Sequence, residues 1–213
     1  MGSIPFTCCG EELSLLPERA LWWAKHKRLL IADAHFGKVG HFRKAGLGLP
    51  YGAALNGLLR LEKLLLSYPV REVFFLGDLF HSELNREWLL FKDLIRKFPN
   101  LDFILIEGNH DILHPSAYAN LNFTVQQEPY RLGPFDLSHH PLDTSAYNLC
   151  GHLHPGVRLN GDGRQSLRLA CFHFSPTRGT LPAFGEFTGT ARIKVKEEDR
   201  VFVLLGDEVK QVN

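Results

Sequence analysis

The sequence predicts a single α/β domain. Three observations carry that expectation. Short apolar runs alternate with helical patterns through the first half of the chain. Short strands then follow one another with turn signals between them. No linker, internal repeat or low-complexity segment divides the 213 residues.

Glu12–Leu16 and Ala20–Trp23 read as strands around a Pro17-Glu18 turn. Leu29–Ala32 is a compact apolar run, as expected of a strand buried on both faces. Residues 37–50, rich in glycine and basic residues, read as a loop. Leu55, Leu58, Leu59 and Leu65, with Leu61, Leu64 and Leu66 around them, recur at helical spacing through Tyr68, and Pro69 ends that helix. Val73–Leu76 is a strand, Asn85–Phe98 a helix and Phe103–Ile106 a strand, so a parallel sheet with crossover helices is expected. After about residue 120 a mostly β layer is expected: Thr124–Gln127, Phe135–Ser138, Tyr147–Cys150, Val157–Leu159 and Leu167–Phe172, with a hairpin signal at Asn160-Gly161-Asp162-Gly163. Ile193–Lys196, Val201–Leu205 and Val209–Val212 should close the chain as a meander, turning at Gly206-Asp207.

Composition bounds the function. Hydrophobic residues are 45% and charged residues 22%, and the formal net charge is +1. A chain of this size buries a core without disulfides or structural metal. Bulk charge gives no support for nucleic-acid binding, and only Lys38, Arg43 and Lys44 form a local basic hint. Cys8, Cys9, Cys150 and Cys171 lack paired zinc spacing and are expected as reduced thiols. No apolar run approaches the roughly 20 residues that span a bilayer. No signal-peptide pattern is evident at the N-terminus, so a cytoplasmic location is expected. Eleven histidines are the one anomaly.

The chemistry lies just past the apolar runs. Leu29–Ala32 runs into Asp33-Ala34-His35, and Val73–Leu76 into Gly77-Asp78. Phe103–Ile106 runs into Glu107-Gly108-Asn109-His110-Asp111. Phe135–Ser138 runs into His139-His140, and Tyr147–Cys150 into Gly151-His152-Leu153-His154. Ligands of open α/β sheets bind outside the carboxyl ends of strands. Two ligands one residue apart in an extended segment project the same way, so Asp33/His35 and His152/His154 can each reach one ion. Gly77, Gly108 and Gly151 let the backbone turn beneath them. Asp33, His35, Asp78, Asn109, His139, His152 and His154 mix carboxylate, amide and imidazole without thiolate, which suits manganese, iron or zinc. They are too many for one tetrahedral ion and suit two. His139 is preferred to His140 because it leaves the strand first. Singly, an aspartate after a strand is more often a turn former. His26, His41, His81, His114 and His173 are left out of the site. Lys38 and Arg43 are candidate phosphate contacts, against the ordinary reading of a solvated loop. Phe184, Phe187, Trp22 and Trp23 read as core.

Taken jointly, Asp33-x-His35, Gly77-Asp78, Gly108-Asn109-His110-Asp111, His139 and Gly151-His152-x-His154 resemble the five-block signature of the calcineurin-like metallophosphoesterases. The stretch from Ile31 through Lys38, His41–Gly46 and Pro50, with Leu181–Gly189, further resembles the bacterial ligase-associated DNA-damage-response phosphoesterases, the PdeM group. Ala34 departs from the larger apolar residue expected there and leaves the ligand spacing intact.

The resemblance implies a four-layer sandwich of two central mixed β-sheets flanked by helices. It implies two divalent metal ions, manganese favoured. Asp33, His35 and His154 would hold the first, Asn109, His139 and His152 the second, and Asp78 both. A hydroxide between the ions would attack phosphorus. His110 would act on the phosphoryl or leaving oxygen, and Asp111 would orient His110. The implied activity is a phosphodiesterase or nuclease linked to DNA repair, with DNA as a candidate substrate and a ligase or helicase as candidate partner. A phosphomonoesterase for a nucleotide or phosphoprotein, and a non-catalytic metal-bound scaffold, are the alternatives.

Overall fold

The computed structural model describes residues 2–37, 51–80, 86–111, 113–160, 166–186 and 188–213. Two mixed sheets stack face to face. The first has the spatial order β1 (Ile4–Cys8), β2 (Glu11–Leu16), β3 (Ala20–Trp23), β4 (Arg28–Ala32), β5 (Glu72–Leu76), β6 (Asp102–Ile106) and β7 (Phe123–Gln126). Strands β1 to β4 run antiparallel to one another, and β4 to β7 run parallel. Helices α1 (Tyr51–Ser67) and α2 (Arg86–Lys97) make the crossovers on either side of β5.

The second sheet has β8 (Tyr130–Leu132), β9 (Phe135–Ser138), β10 (Tyr147–Cys150), β11 (Pro155–Asn160), β12 (Ser166–Phe174), β13 (Arg178–Thr180), β14 (Ala191–Arg192), β15 (Arg200–Leu205) and β16 (Glu208–Gln211). Its order is β14-β11-β12-β13-β10-β9-β8, with β15 on β12 and β16 on β15. Strands β9, β10 and β13 are parallel.

The period of two along each strand divides the apolar residues between two cores. In β4, Leu29 and Ile31 face the helices while Leu30 and Ala32 face the second sheet. Val73 and Phe75 against Phe74 and Leu76 do the same in β5, and Phe103 and Leu105 against Ile104 and Ile106 in β6. The helical side is closed by Leu58, Leu61 and Leu65 of α1 and Trp88, Phe91 and Leu94 of α2. The inter-sheet side is closed by Phe135, Leu137, Leu149, Phe172, Phe174 and Phe202. A small third cluster, Val157, Cys171, Val201 and Val203, lies on the outer face of the second sheet.

The structure departs from the sequence expectations at several elements. Strands β1 to β3 join the parallel strands on one side, which makes the first sheet mixed as the resemblance implies, and β1 itself was not anticipated. The segment 124–127, expected in the second layer, forms β7 at the far edge of the first sheet, where Phe123 pairs with Phe103. Ile193–Lys196 is not a strand. The strand there is Ala191–Arg192, and Asp199 then closes a turn by accepting from the Lys196 N–H at 2.9 Å while donating its own N–H to the Lys196 carbonyl at 3.1 Å. Strands β8 and β13 were likewise not anticipated. The start of the second helix at Asn85 and the turn residues 161–163 lie outside the described residues.

Phe135 is fully buried between Trp23 and Tyr147 in the inter-sheet core. Phe135→Ala is expected to cost about 3–5 kcal/mol of stability, measured as a lowered urea midpoint with an unchanged denaturant slope.

Candidate metal centre

Parallel pairing sets Ala32, Leu76 and Ile106 side by side. The residues that follow them therefore emerge at one edge of the first sheet. In the second sheet Ser138 and Cys150 are register partners, so His139 and Gly151-His152 emerge together as well. The segment after β13 ties the two edges to each other. Phe184 N–H donates to the Ala32 carbonyl at 2.8 Å, and Gly185 N–H donates to the Asp33 carbonyl at 3.0 Å.

Asp33, His35, Asp78, His152 and His154 all have positive φ, between 45° and 66°. A residue with a side chain held there costs of order 1–3 kcal/mol and persists where its surroundings over-determine it. The strain re-aims each side chain toward the gap between the sheets.

The side chains converge in two groups. In one, His35 Nε2 lies 3.4 Å from His154 Nε2, and His154 Nε2 lies 3.5 Å from Asp33 Oδ1. In the other, His139 Nε2 lies 3.0 Å from Asn109 Oδ1, 3.0 Å from His152 Nδ1 and 3.4 Å from Asp78 Oδ1. Asp78 stands between them: its Oδ1 faces His139, and its Oδ2 faces His35 Nε2 at 3.8 Å. Asp33, His35, Asp78 and His139 are buried.

This arrangement fits a cation. Donor atoms held about 2.0–2.2 Å from one ion stand roughly 3.0–3.5 Å from each other, the spacing seen in both groups. His139 Nδ1 sits 3.2 Å from the Leu76 carbonyl, whose acceptor calls for a proton on that nitrogen. Nε2 then carries a lone pair toward Asn109 Oδ1 and Asp78 Oδ1, which are also acceptors. Acceptors facing acceptors in a buried place are satisfied by a positive ion. Burial, with the neighbouring His139 and His140 rings, holds His152 below the usual histidine range. No thiolate competes: burial pushes the Cys150 thiol up to about 12.

Several supporting residues are equally specific. Asp111 Oδ2 accepts from the N–H groups of Asp78 at 2.8 Å and Gly108 at 2.9 Å, and Oδ1 accepts from Leu79 at 2.8 Å. These contacts make Asp111 a clamp on the turn that carries Asp78. Glu128, missed in the sequence, accepts from the backbone N–H groups of His139 at 2.7 Å and His140 at 3.0 Å through Oε2, while its Oε1 takes the His140 ring at 2.7 Å. Its signal was an acid just before the β8–β9 pair, too common to single out. The three glycines serve two purposes. Gly77 alone has positive φ, and a Cβ there would strike the His139 ring. At Gly108 and Gly151 a Cβ would meet Asp78 N at 2.7 Å and Asp33 Oδ2 at 2.6 Å, so close approach explains them.

His110 is exposed at the rim, its backbone N–H donating to Asp78 Oδ1 at 3.0 Å and its ring 6.3 Å from that of His35. His140 also lies within 4.8 Å of His139 and His152. Of the histidines left out of the site, His173 pairs with Asp199 at 2.9 Å, and His114 bonds Ser116. Lys38, Arg43, Lys44, His41, His81 and Phe187 lie outside the described residues. The four cysteines are free thiols. Among the described residues, no helix is long and apolar enough to cross a membrane.

Neither a protein-family model nor a curated protein matches the chain. Among solved structures, the crystal structure of the nuclease MPE from Pseudomonas putida is 30% identical, covers 99% of this chain and 100% of its own, and superposes with a TM-score of 0.81. The chain belongs to the family of that nuclease. A protein of unknown function from Aquifex aeolicus is 21% identical over 64% of this chain, with a TM-score of 0.41.

Two substitutions test the part that the turn carrying His139 plays in cation binding. His139→Ala is expected to remove most divalent-cation uptake in titration calorimetry with manganese. Glu128→Ala, which leaves every donor atom in place, should weaken uptake about 10–100-fold. Unchanged affinity in both variants would place the cation elsewhere.

Proposed function

We propose that this member of the MPE nuclease family is a two-metal phosphodiesterase of the calcineurin-like type, cutting a phosphodiester of nucleic acid. The observation that carries the reading is the division of Asp78 between the two groups, one oxygen toward His139 and the other toward His35. A carboxylate so placed is the natural bridge between two ions. Asp33, His35 and His154 would hold one ion, and Asn109, His139 and His152 the other, with manganese favoured by the mixed oxygen and imidazole donors. Bound there, the ions supply Lewis-acid charge and a water acidic enough to attack phosphorus near neutral pH.

The protein's own contribution is positional. Asp111 and Glu128 hold the turns that carry Asp78 and His139, so the donors need little rearrangement. His110, exposed at the rim, is placed to meet a phosphoryl oxygen or to protonate the leaving oxygen. A diester suits the open rim, where a chain can enter and leave on both sides of the scissile bond. The name of the relative, a nuclease, supports nucleic acid as the polymer. The PdeM-group assignment, the link to DNA repair, and a ligase or helicase partner rest on the resemblance of Ile31–Lys38 and Leu181–Gly189. Lys38 and Arg43 remain candidate phosphate contacts on the same ground.

Asp78→Ala should lose both the metal and hydrolysis of a bis-aryl phosphate in manganese. His110→Ala should keep the metal and lose about 10²–10⁴-fold in rate. Full activity in either variant, or a strong preference for a mono-aryl phosphate, would overturn the reading.

A further inference from the structure

We propose that the exposed basic face of β11, β12 and β14 is the track along which a nucleic-acid strand lies while its scissile phosphate sits at the candidate metal centre. The inference rests on the phosphodiesterase reading and adds where the rest of the polymer goes.

Strand β11 begins at Pro155, the residue after His154. Arg158 follows four residues beyond His154, a reach of roughly 13 Å at about 3.3 Å per residue. Across the hairpin, Arg158 is the direct register partner of Arg168. Two like charges directly opposite in an antiparallel pair are destabilising, so the fold carries a local cost that a single acidic substitution would remove. On the other side of β11, Arg192 of β14 pairs with Gly156, and Lys194 lies two residues further on. All four basic side chains are exposed.

The surface between them is shaped. Arg158, Arg192 and Lys194 line an open groove of about 690 Å³. Arg168 lines a second cleft of about 460 Å³ together with Arg19, Glu186, Thr188 and Thr190. The Thr188 carbonyl faces His154 Nδ1 at 3.4 Å, so this cleft abuts the centre itself.

The charges are also held available. Several cations elsewhere on the surface are paired with acids, as in Lys25–Glu11, Arg28–Glu72, Lys97–Glu62 and Arg178–Asp143, while among the described residues others such as Lys27, Arg71 and Lys92 are not. Among the described residues none of Arg158, Arg168, Arg192 and Lys194 makes an ion pair. With a formal net charge of only +1, a stripe of unneutralised cations running away from the centre is a local device. A polymer with a regularly repeated phosphate matches such a stripe, and it must extend past the centre if one of its own linkages is cut there.

The test is binding of a fluorescent single-stranded oligonucleotide without added metal, across a salt series, for the wild type and for a variant carrying Arg158→Ala, Arg168→Ala, Arg192→Ala and Lys194→Ala. The variant should lose at least tenfold in affinity. Its salt dependence should flatten by up to about 0.7 per cation removed. Its hydrolysis of a small bis-aryl phosphate in manganese should be unchanged. Arg158→Glu alone should weaken the oligonucleotide and raise the melting temperature, by pairing with Arg168 where the wild type has repulsion. Equal affinity and equal salt slope in wild type and variant would overturn the track, as would binding of anionic lipid vesicles in place of the oligonucleotide. If the small diester is cut but no oligonucleotide binds, the track fails and the hydrolase reading stands. If the stripe binds the oligonucleotide but no diester is cut, the track stands and the hydrolase reading fails.

Discussion

Parallel register between β4, β5 and β6 is the constraint on which the rest depends. Ala32, Leu76 and Ile106 align side by side, and each is the last apolar residue before the chain turns polar. Asp33, Asp78 and Asn109 therefore come from three distant parts of the sequence to one edge without any search among loop conformations. The second sheet repeats the device with Ser138 and Cys150. Stacking the two sheets through Phe135, Leu149 and Phe172 then brings His139 and His152 opposite the carboxylates. Hydrophobic burial behind the site holds this stacking together.

That burial also supports local strain. Five of the candidate ligands sit in left-handed backbone, a conformation their side chains disfavour. Each is held by something rigid. The turn at Asp78 is gripped by Asp111, Asp33 by the Phe184-Gly185 segment arriving from β13, His35 by its N–H donating to the Asp78 carbonyl, His152 by its N–H donating to the Asp33 carboxylate, and His154 by its carbonyl accepting from the Ala191 N–H. Most of the residues that reach the gap are strained, and carboxylates and backbone groups of their neighbours hold them.

How legible was this in the sequence? The first sheet's inner strands were legible, because runs such as Val73–Leu76 are apolar at every position and admit no other element of that length. The candidate site was legible only as a joint pattern, since five runs each lead into metal-capable side chains while a single aspartate after a strand reads as a turn former. Pairing partners were not legible. The edge strand β7 carries Thr124 and Gln126 outward and reads like any solvent-facing strand, so nothing local assigns it to one sheet over the other. The short strands β8 and β13 are too brief to show a period. Glu128 and the clamp made by Asp111 escaped because both act on backbone N–H groups, which leave no mark in a pattern of side chains. Gly108 and Gly151 looked like turn formers, whereas contact distance is what excludes a side chain there.

The two-residue rhythm of the first sheet has a further meaning. Leu30 and Ala32 belong to one core and Leu29 and Ile31 to the other, so a slip of one residue in β4 would exchange the two cores. The same slip would draw Asp33 back into the strand and push its successor into the gap. Misregistration and loss of the site are thus one event. A chain that gathers its carboxylates and imidazoles has already settled its strands, which makes the centre a gauge of whether the polypeptide has folded in register.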